Sequence, residues 1–250
     1  MPLRGFERIL RNEIWFSRPS SWPDRWDSRL PASLGHNFSC SDLESLKESL
    51  LTTEHINRHA HLVNCWHISN EESPDMWREY GDVPNGIAIQ STVADVEYCI
   101  SMHGSGKVEY YDPSEIMPPQ PLFGARAVLF KRKQFSFEKE FRIWRLDEGF
   151  LTRIQRNDPF LECALSKGCL VHVSDISRLI RRIVLAPGAS SQTRKVLEDL
   201  CSSYRRTWIH RCIQQSVLEP AATSASPSRI TSLCPDNTSS CTKIRLGARS

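Results

Sequence analysis

The sequence predicts an α+β fold: a single domain over residues 1–218, with a central, mostly antiparallel sheet and flanking helices, and a disordered tail over residues 219–250. Three observations lead to this prediction. Apolar residues recur with helical spacing in some segments and with the alternation of strands in others. These segments follow one another without the regular strand–helix repeat of a parallel sheet. The composition, 40% hydrophobic and 24% charged, suits a globular core.

The local patterns assign the elements in chain order. Leu3, Phe6 and Leu10 share one helical face, Ser73 with Pro74 is typical of a helix start, and Asp175 can cap a helical turn. Predicted helices cover residues 3–11, 41–51, 92–102, 122–131 and 191–201, with another that begins near residue 73. Predicted strands cover residues 14–16, 61–69, 86–91, 107–111, 135–146, 170–173, 182–185 and 207–213. From about Glu219 the chain is small and polar, which predicts the disordered tail.

Charge and composition exclude several function classes. The net charge of +3 is too small to indicate a nucleic-acid partner, and no apolar run approaches the roughly 20 residues that cross a bilayer. Without a secretory signal, we predict a cytoplasmic protein with no membrane partner. Nine cysteines include no C-x-x-C pair; Cys65 and His67 would face the same way on a strand, but no further ligand can be named, so we predict no metal site.

The densest run of polar and aromatic residues is 64–80, at a predicted strand-to-helix turn. One interpretation is a ligand site, in which Trp77 and Tyr80 form an aromatic wall and Ser69 or His67 supplies hydrogen bonds. The alternative is that the aromatic residues pack the helix onto the sheet and that His67 is structural. A small-molecule or nucleotide ligand is the predicted partner under the first interpretation.

A second candidate is the charged segment 131–144. On a strand, Glu138, Glu140 and Arg142 would share one face, and Arg142 would keep both carboxylates ionised for acid–base work. The alternatives are a solvated face of mutually paired charges and a basic patch for phosphates, formed by Arg126, Lys131, Arg132 and Lys133. Asp24, Arg25 and Asp27, in a tryptophan-rich loop, are further candidates for a pocket.

Several spaced motifs occur together in order: Cys65-Trp66-His67, Glu72-Ser73 with Met76-Trp77 and Tyr80, Gly86-Ile87-Ala88-Ile89, and Phe130 to Arg142. Over roughly residues 3–215 this pattern resembles an uncharacterised, mainly bacterial family catalogued as domain of unknown function twenty-nine-seventy-one. Members of that family usually begin with an extra strand that contains Tyr and Lys, and we expect this chain to lack it. The resemblance implies no reaction.

A looser analogy implies a function. ADP-ribosyltransferases arrange a strand with Arg or His, a strand with Ser and a later Glu-x-Glu strand around NAD; here Ser69 and Glu138-x-Glu140 follow in that order. The analogy implies that Glu140 stabilises an oxocarbenium-like ribose, that Glu138 positions the acceptor and that Trp77 or Tyr80 stacks on the nicotinamide. The alternative is a non-enzymatic module that binds or senses a ligand or nucleotide, in a defence or toxin system.

Overall fold

A computed structural model describes residues 1–28, 57–114, 124–156, 165–219 and 244–246. The chain forms two compact units: the first consists of Met1–Ile14, Ser69–Cys99 and His172–Ser250, and the second of Trp15–Ile68 and Ile100–Val171. Both contain helices and strands, so the α+β class is confirmed. The single domain over residues 1–218 stays a prediction. The predicted helix at 41–51 and most of the predicted tail at 219–250 lie outside the described residues.

The helices and strands of the described residues have the following bounds. The α-helices are α1 (Leu3–Leu10), α2 (Pro74–Tyr80), α3 (Val93–Cys99), α4 (Glu148–Gln155), α5 (Ile176–Leu179) and α6 (Ser191–Ser203). The strands are β1 (Glu13–Ser17), β2 (His61–Ile68), β3 (Ile87–Ser91), β4 (Gly104–Lys107), β5 (Glu109–Tyr111), β6 (Phe130–Arg132), β7 (Glu140–Leu146), β8 (Gly168–His172), β9 (Arg182–Leu185), β10 (Ile213–Gln215) and β11 (Ile244–Leu246). Short 3₁₀ helices cover Pro19–Ser21, Gly124–Leu129, Lys133–Glu138 and Thr207–Cys212.

In the first unit, four strands lie in the order β10–β9–β3–β11. The central pair, β9 and β3, is antiparallel, whereas β10 and β11 add to its two sides in parallel. Helix α1 buries Phe6, Ile9 and Leu10, which the spacing of three and four residues places on one face. The core of this unit also contains Ile89, Ile183 and Leu197.

In the second unit, five strands lie in the order β8–β1–β2–β7–β4. The pairs β1–β2, β2–β7 and β7–β4 are antiparallel, which confirms the predicted mostly antiparallel sheet. The longest ladder joins β2 to β7, from His61 opposite Leu146 to His67 opposite Glu140. On β4, Gly104 lies opposite Trp144, and a Cβ atom there would lie 2.4 Å from the Trp144 ring, so the indole needs a residue without a side chain.

Most predicted elements are confirmed to within a few residues, namely α1, β1, β2, α2, β3, α3, the cap of α5, β8, β9 and α6. The Ser73 hydroxyl accepts a hydrogen bond from the Met76 N–H at 3.3 Å, and the Asp175 carboxylate accepts from Ser177 and Arg178, as the capping patterns predicted. Among the described residues, no helix has the length and apolar character needed to cross a lipid bilayer.

Four predictions are wrong in whole or in part. The strand predicted at 135–146 begins only at Glu140, because Lys139 has a φ of 40°, which interrupts extended backbone. In place of the helix predicted at 122–131, the described residues form a 3₁₀ helix followed by β6. The strand predicted at 207–213 is mostly a 3₁₀ helix. In both segments the apolar run is too short to distinguish strand from helix. The strand predicted at 107–111 is split between β4 and β5, and α4 was not predicted.

Helix α2 packs onto its own unit through Trp77. This side chain is only 6% exposed and lies in a buried cluster with Val184 and Ala186. Its indole Nε1 donates a hydrogen bond to Glu72 Oε2 at 3.0 Å, so the polar edge of the ring is satisfied as well. These contacts support the packing interpretation of Trp77.

We expect Trp77→Ala to lower the free energy of unfolding by about 3–5 kcal/mol, because a large buried ring leaves a cavity. Trp26 is 54% exposed and provides a matched control. Trp26→Ala should cost about 1 kcal/mol or less. Urea unfolding of the two variants measures both values, and equal losses would contradict the packing role of Trp77.

Candidate functional site

Five ionisable side chains meet in the second unit and form what we call the charged cluster: Asp27, Lys131, Glu138, Glu140 and Arg142. All five are buried, with exposed fractions from 0% for Arg142 to 6% for Lys131 and Glu140. The three residues predicted as catalytic therefore lie together, with two partners. The alternative of a solvated face of mutually paired charges is right about the pairing and wrong about the solvent, because the paired charges are buried.

The backbone brings the two glutamates together by two different elements. Glu140 and Arg142 lie on one face of β7, as the two-residue period of a strand requires. Glu138 belongs instead to the preceding 3₁₀ helix, and the left-handed Lys139 between the glutamates turns the chain. The Lys139 N–H donates to the Ser136 carbonyl at 3.2 Å, which fixes this turn.

Lys131, on β6, lies between the three carboxyl groups. Its Nζ is 2.6 Å from Glu140 Oε1 and 3.3 Å from Asp27 Oδ2, and it also donates to Glu138 Oε2. The ring of Phe135 covers the ammonium group, with its centroid 4.9 Å from Nζ. The prediction that Arg142 holds both glutamates is therefore wrong for Glu138, whose cationic partner is Lys131.

Arg142 uses each of its guanidinium nitrogens. Its Nε donates to Glu140 Oε2 at 2.6 Å, and its two terminal nitrogens donate to the two oxygens of Asp27 at 2.8 and 3.0 Å. One of them also donates to the Val128 carbonyl at 2.7 Å. The ring of Trp22 lies over the guanidinium carbon at 5.0 Å. This two-pronged geometry matches a carboxylate in a way that a lysine could not.

The two glutamates have pKa values that are shifted in opposite directions. Burial, together with a hydrogen bond to Glu140, raises the pKa of Glu138 to about 7. Burial would also raise the pKa of Glu140, but the positive charges of Arg142 and Lys131 outweigh it and hold that pKa well below 4.5. The pair therefore has one carboxyl group that releases its proton near neutral pH and one that stays ionised, which is how environments assign acid–base roles.

His67 borders the charged cluster. It lies opposite Glu140 across the β2–β7 ladder, and its Nδ1 is 2.5 Å from the carbonyl oxygen of Glu138, which only accepts hydrogen bonds. On the other side, the Tyr110 hydroxyl accepts from the Glu140 N–H at 2.8 Å. Of the predicted ligand-binding residues, His67 is thus the one that lies beside the predicted catalytic residues. Its hydrogen bond goes to the backbone carbonyl group of Glu138.

The other predicted ligand-binding residues, Ser69, Trp77 and Tyr80, belong to the first unit. The Ser69 hydroxyl closes a local turn, since it donates to the Glu71 carbonyl at 2.7 Å and accepts from the Glu71 N–H at 3.0 Å. Trp77 lies in the core described above, and Tyr80 is half-buried at the end of α2. Within the described ranges, no group of three His, Cys, Asp or Glu side chains could hold a metal ion, Cys65 and His67 included.

Sequence reasoning named Lys131 only as part of a basic patch and Asp27 only as a loop candidate. Both belong to the charged cluster, although Asp27 and Arg142 are 115 positions apart. One signal could have predicted the contact between Asp27 and Arg142. If β7 is a buried strand, Arg142 is a buried arginine, and a buried arginine needs a carboxylate partner. Asp24 pairs with Arg132 at 2.9 Å nearer the surface.

No family model matches the chain, and neither a curated protein nor a solved structure matches it. The resemblance to the bacterial family of unknown function therefore stays a prediction.

We expect the stability difference between the wild type and Glu138→Gln to depend on pH. Between pH 4.5 and about 7 folded Glu138 keeps its proton while the unfolded chain loses it, so the wild type loses stability relative to the variant as pH rises through this window. The change should be on the order of 1–3 kcal/mol. Above the window the difference should be constant.

Denaturant unfolding of both proteins from pH 5 to 8 measures this change. The difference is the relevant quantity, because His61, whose pKa is lowered by burial, contributes in the opposite direction in both proteins. A difference that does not vary with pH would show that Glu138 has an ordinary pKa.

We expect Asp27→Asn to destabilise the protein by about 3–5 kcal/mol, because it leaves the buried Arg142 with less negative charge than it needs. Asp24→Asn, in the same loop, removes one charge from a partly exposed pair and should cost about 1 kcal/mol or less. Thermal or urea unfolding compares the two. Similar losses in both variants would contradict the special role of Asp27.

Proposed function

We propose that this chain is an enzyme that breaks the N-glycosidic bond of NAD and transfers ADP-ribose to an acceptor, with Glu140 and Glu138 as its catalytic pair. The observation behind the proposal is the carboxyl pair, in which one group stays ionised and its neighbour has a pKa of about 7. A base with a pKa near the working pH combines a sufficient ionised fraction with sufficient basicity.

The energetics of the charged cluster favour a functional role over a stabilising one. Removing an ion from water costs several kcal/mol, and buried ion pairs can often be replaced by apolar side chains without loss of stability. A group of five such residues, none more than 6% exposed, is therefore a poor way to stabilise a fold. Strongly perturbed pKa values concentrate where chemistry is done.

The proposed reaction assigns a role to each glutamate. The bond between the ribose C1′ and the nicotinamide nitrogen breaks, and nicotinamide leaves with the electron pair, which neutralises its ring. The ionised Glu140 stabilises the positive charge that develops on the ribose. The acceptor oxygen or nitrogen then bonds to C1′, and its proton passes to Glu138 in its ionised form.

The contacts of Glu140 define how the substrate would enter. Both of its oxygens accept hydrogen bonds, Oε1 from Lys131 and Oε2 from Arg142. Arg142 is fixed by Asp27, whereas the Lys131 ammonium keeps two other carboxyl partners if it leaves Glu140. A ribose hydroxyl would therefore replace Lys131 at Oε1, while Arg142 keeps the carboxylate ionised.

A non-enzymatic binding module is the second candidate, and one observation favours it. Both oxygens of Glu140 already accept hydrogen bonds, from Lys131 and Arg142, and Glu140 is only 6% exposed, so a substrate would have to displace Lys131 in a buried place. In this case the charged cluster would be a rigid frame, and a ligand would bind elsewhere without being altered.

We expect purified protein to bind NAD by calorimetry and to release nicotinamide, and Glu140→Gln to reduce release by about 100-fold or more. In the wild type, release should rise with pH up to about 7 and then level off, because Glu138 must lose its proton; Glu138→Gln should abolish this rise. Asp24→Asn is the control for a charge change in the neighbouring loop.

Circular dichroism of each variant separates a catalytic loss from unfolding. Absence of binding at millimolar NAD, or equal release by a folded Glu140→Gln variant, would overturn the transferase proposal. Saturable binding of NAD without nicotinamide release, insensitive to Glu140→Gln, would favour the binding module instead.

A further inference from the structure

Two arginines of the first unit are held by one buried carboxylate. Asp95, on α3, is 2% exposed; its Oδ1 accepts from Arg178 Nε at 2.8 Å and its Oδ2 from Arg181 Nε at 2.8 Å. Thr92 donates a third hydrogen bond at 2.7 Å. Hydrogen bonds from Arg181 and Thr92, which outweigh burial, keep the pKa of Asp95 well below its usual range, so the anchor is always charged.

The arginines themselves reach the surface. Their side chains are 40% and 56% exposed, and each uses only Nε toward Asp95. The other guanidinium nitrogens make no hydrogen bond to another residue that the structure describes. Two fixed, solvent-facing sets of terminal N–H donors are therefore present side by side, and little side-chain entropy remains to be lost when an anion binds.

An aromatic ring adjoins these donors. Tyr98 is 64% exposed, and the Arg178 guanidinium stacks on its ring at 3.8 Å from the centroid. Because 64% of Tyr98 remains exposed beside this contact, part of its surface is accessible to a flat ligand group. Arg178 thus contacts Tyr98 through its guanidinium group and also has terminal N–H donors at the surface.

The charges near this site are equal in number, three guanidinium groups against the three carboxylates of Asp95, Asp175 and Glu97, so the exposed guanidinium donors, and not an excess of positive charge, favour an anion. Asp95 neutralises one of the two guanidinium groups, and the exposed Arg182 follows directly in sequence. Asp175 is a second nearby carboxylate, and its Oδ1 caps α5, where it accepts from the Ser177 and Arg178 N–H groups. Glu97 is exposed on α3 beside Tyr98 and is the opposing surface charge.

We propose that Tyr98, Arg178 and Arg181 form a nucleotide-binding surface, in which the two guanidinium groups bind phosphate oxygens and a base stacks on Tyr98. Planar guanidinium donors match phosphate oxygens, and every base offers a face for stacking. The ligand is either a free nucleotide or a nucleotide within a single strand. This surface is separate in its residues from the charged cluster and does not rest on the proposed transferase activity.

Fluorescence anisotropy of a labelled single-stranded oligothymidylate with the full chain tests the proposal. We expect Tyr98→Leu to weaken binding on the order of tenfold and Tyr98→Phe to retain it, because stacking needs the ring and not the hydroxyl. The double variant Arg178→Ala/Arg181→Ala should lower the slope of log affinity against log salt by about 0.7 for each phosphate that the variant no longer binds.

Arg78→Ala is the matched control, since Arg78 is an exposed arginine of the same unit, 67% exposed and paired with Asp75 at 2.6 Å. It should bind like the wild type. Competition with ATP identifies the source of the nucleotide. Displacement at a concentration similar to that of the oligonucleotide indicates a free nucleotide, and displacement only at far higher concentration indicates a strand.

Two results would overturn the proposal. The first is the absence of binding to both the oligonucleotide and ATP by folded wild-type protein. The second is binding that Tyr98→Leu and the double arginine variant leave at the level of Arg78→Ala, which would mean that the phosphates are bound elsewhere.

Discussion

The fully buried guanidinium of Arg142 is the constraint on which the second unit depends. Arginine cannot lose its proton in a protein, so at 0% exposure its charge has to be matched by carboxylates and its donors by acceptors. Asp27 supplies two oxygens, Glu140 one and the Val128 carbonyl another. These contacts fix the loop before residue 28 to the start of β7. Because Arg142 is fully buried, water cannot replace these hydrogen-bond acceptors.

The remaining members of the charged cluster follow from that requirement. Glu140 and Asp27 bring Lys131 between them, and Lys131 in turn contacts Glu138. Three carboxyl groups then face two cations, so a neutral cluster has to hold one proton. Glu138 holds this proton, because it pairs with Lys131 whereas Glu140 pairs with both Lys131 and Arg142. The negative charge is therefore more stable on Glu140 than on Glu138. Glu138 thus titrates near neutral pH because the buried cluster has one more carboxyl group than it has cations.

The sequence predicts the parts of this arrangement that depend on local period. Alternation along β7 is enough to place Glu140 and Arg142 on one face, and capping chemistry is enough to begin α2 at Pro74. It does not predict that the strand stops at Lys139, because a positive φ at a lysine has no local signal. Nor does it predict the contact of Asp27 with Arg142, which tertiary packing decides. The indole of Trp77 fits a ligand wall or a core equally well until its neighbours are known.

Each unit contains a group of paired charges, and the two groups differ in whether carboxyl groups or cations are more numerous around the shared partner. In the charged cluster, carboxyl groups outnumber cations and the site is closed to water, so the imbalance is met by a proton on Glu138. At Asp95, two guanidinium groups share one carboxylate, and arginine cannot restore the balance by releasing a proton. Because Arg178 and Arg181 reach the surface, water solvates their charge, and their remaining N–H donors are available to an anion. A buried excess of carboxyl groups therefore gives a titrating group, whereas two exposed arginines fixed by one buried carboxylate give donors for the proposed phosphate ligand.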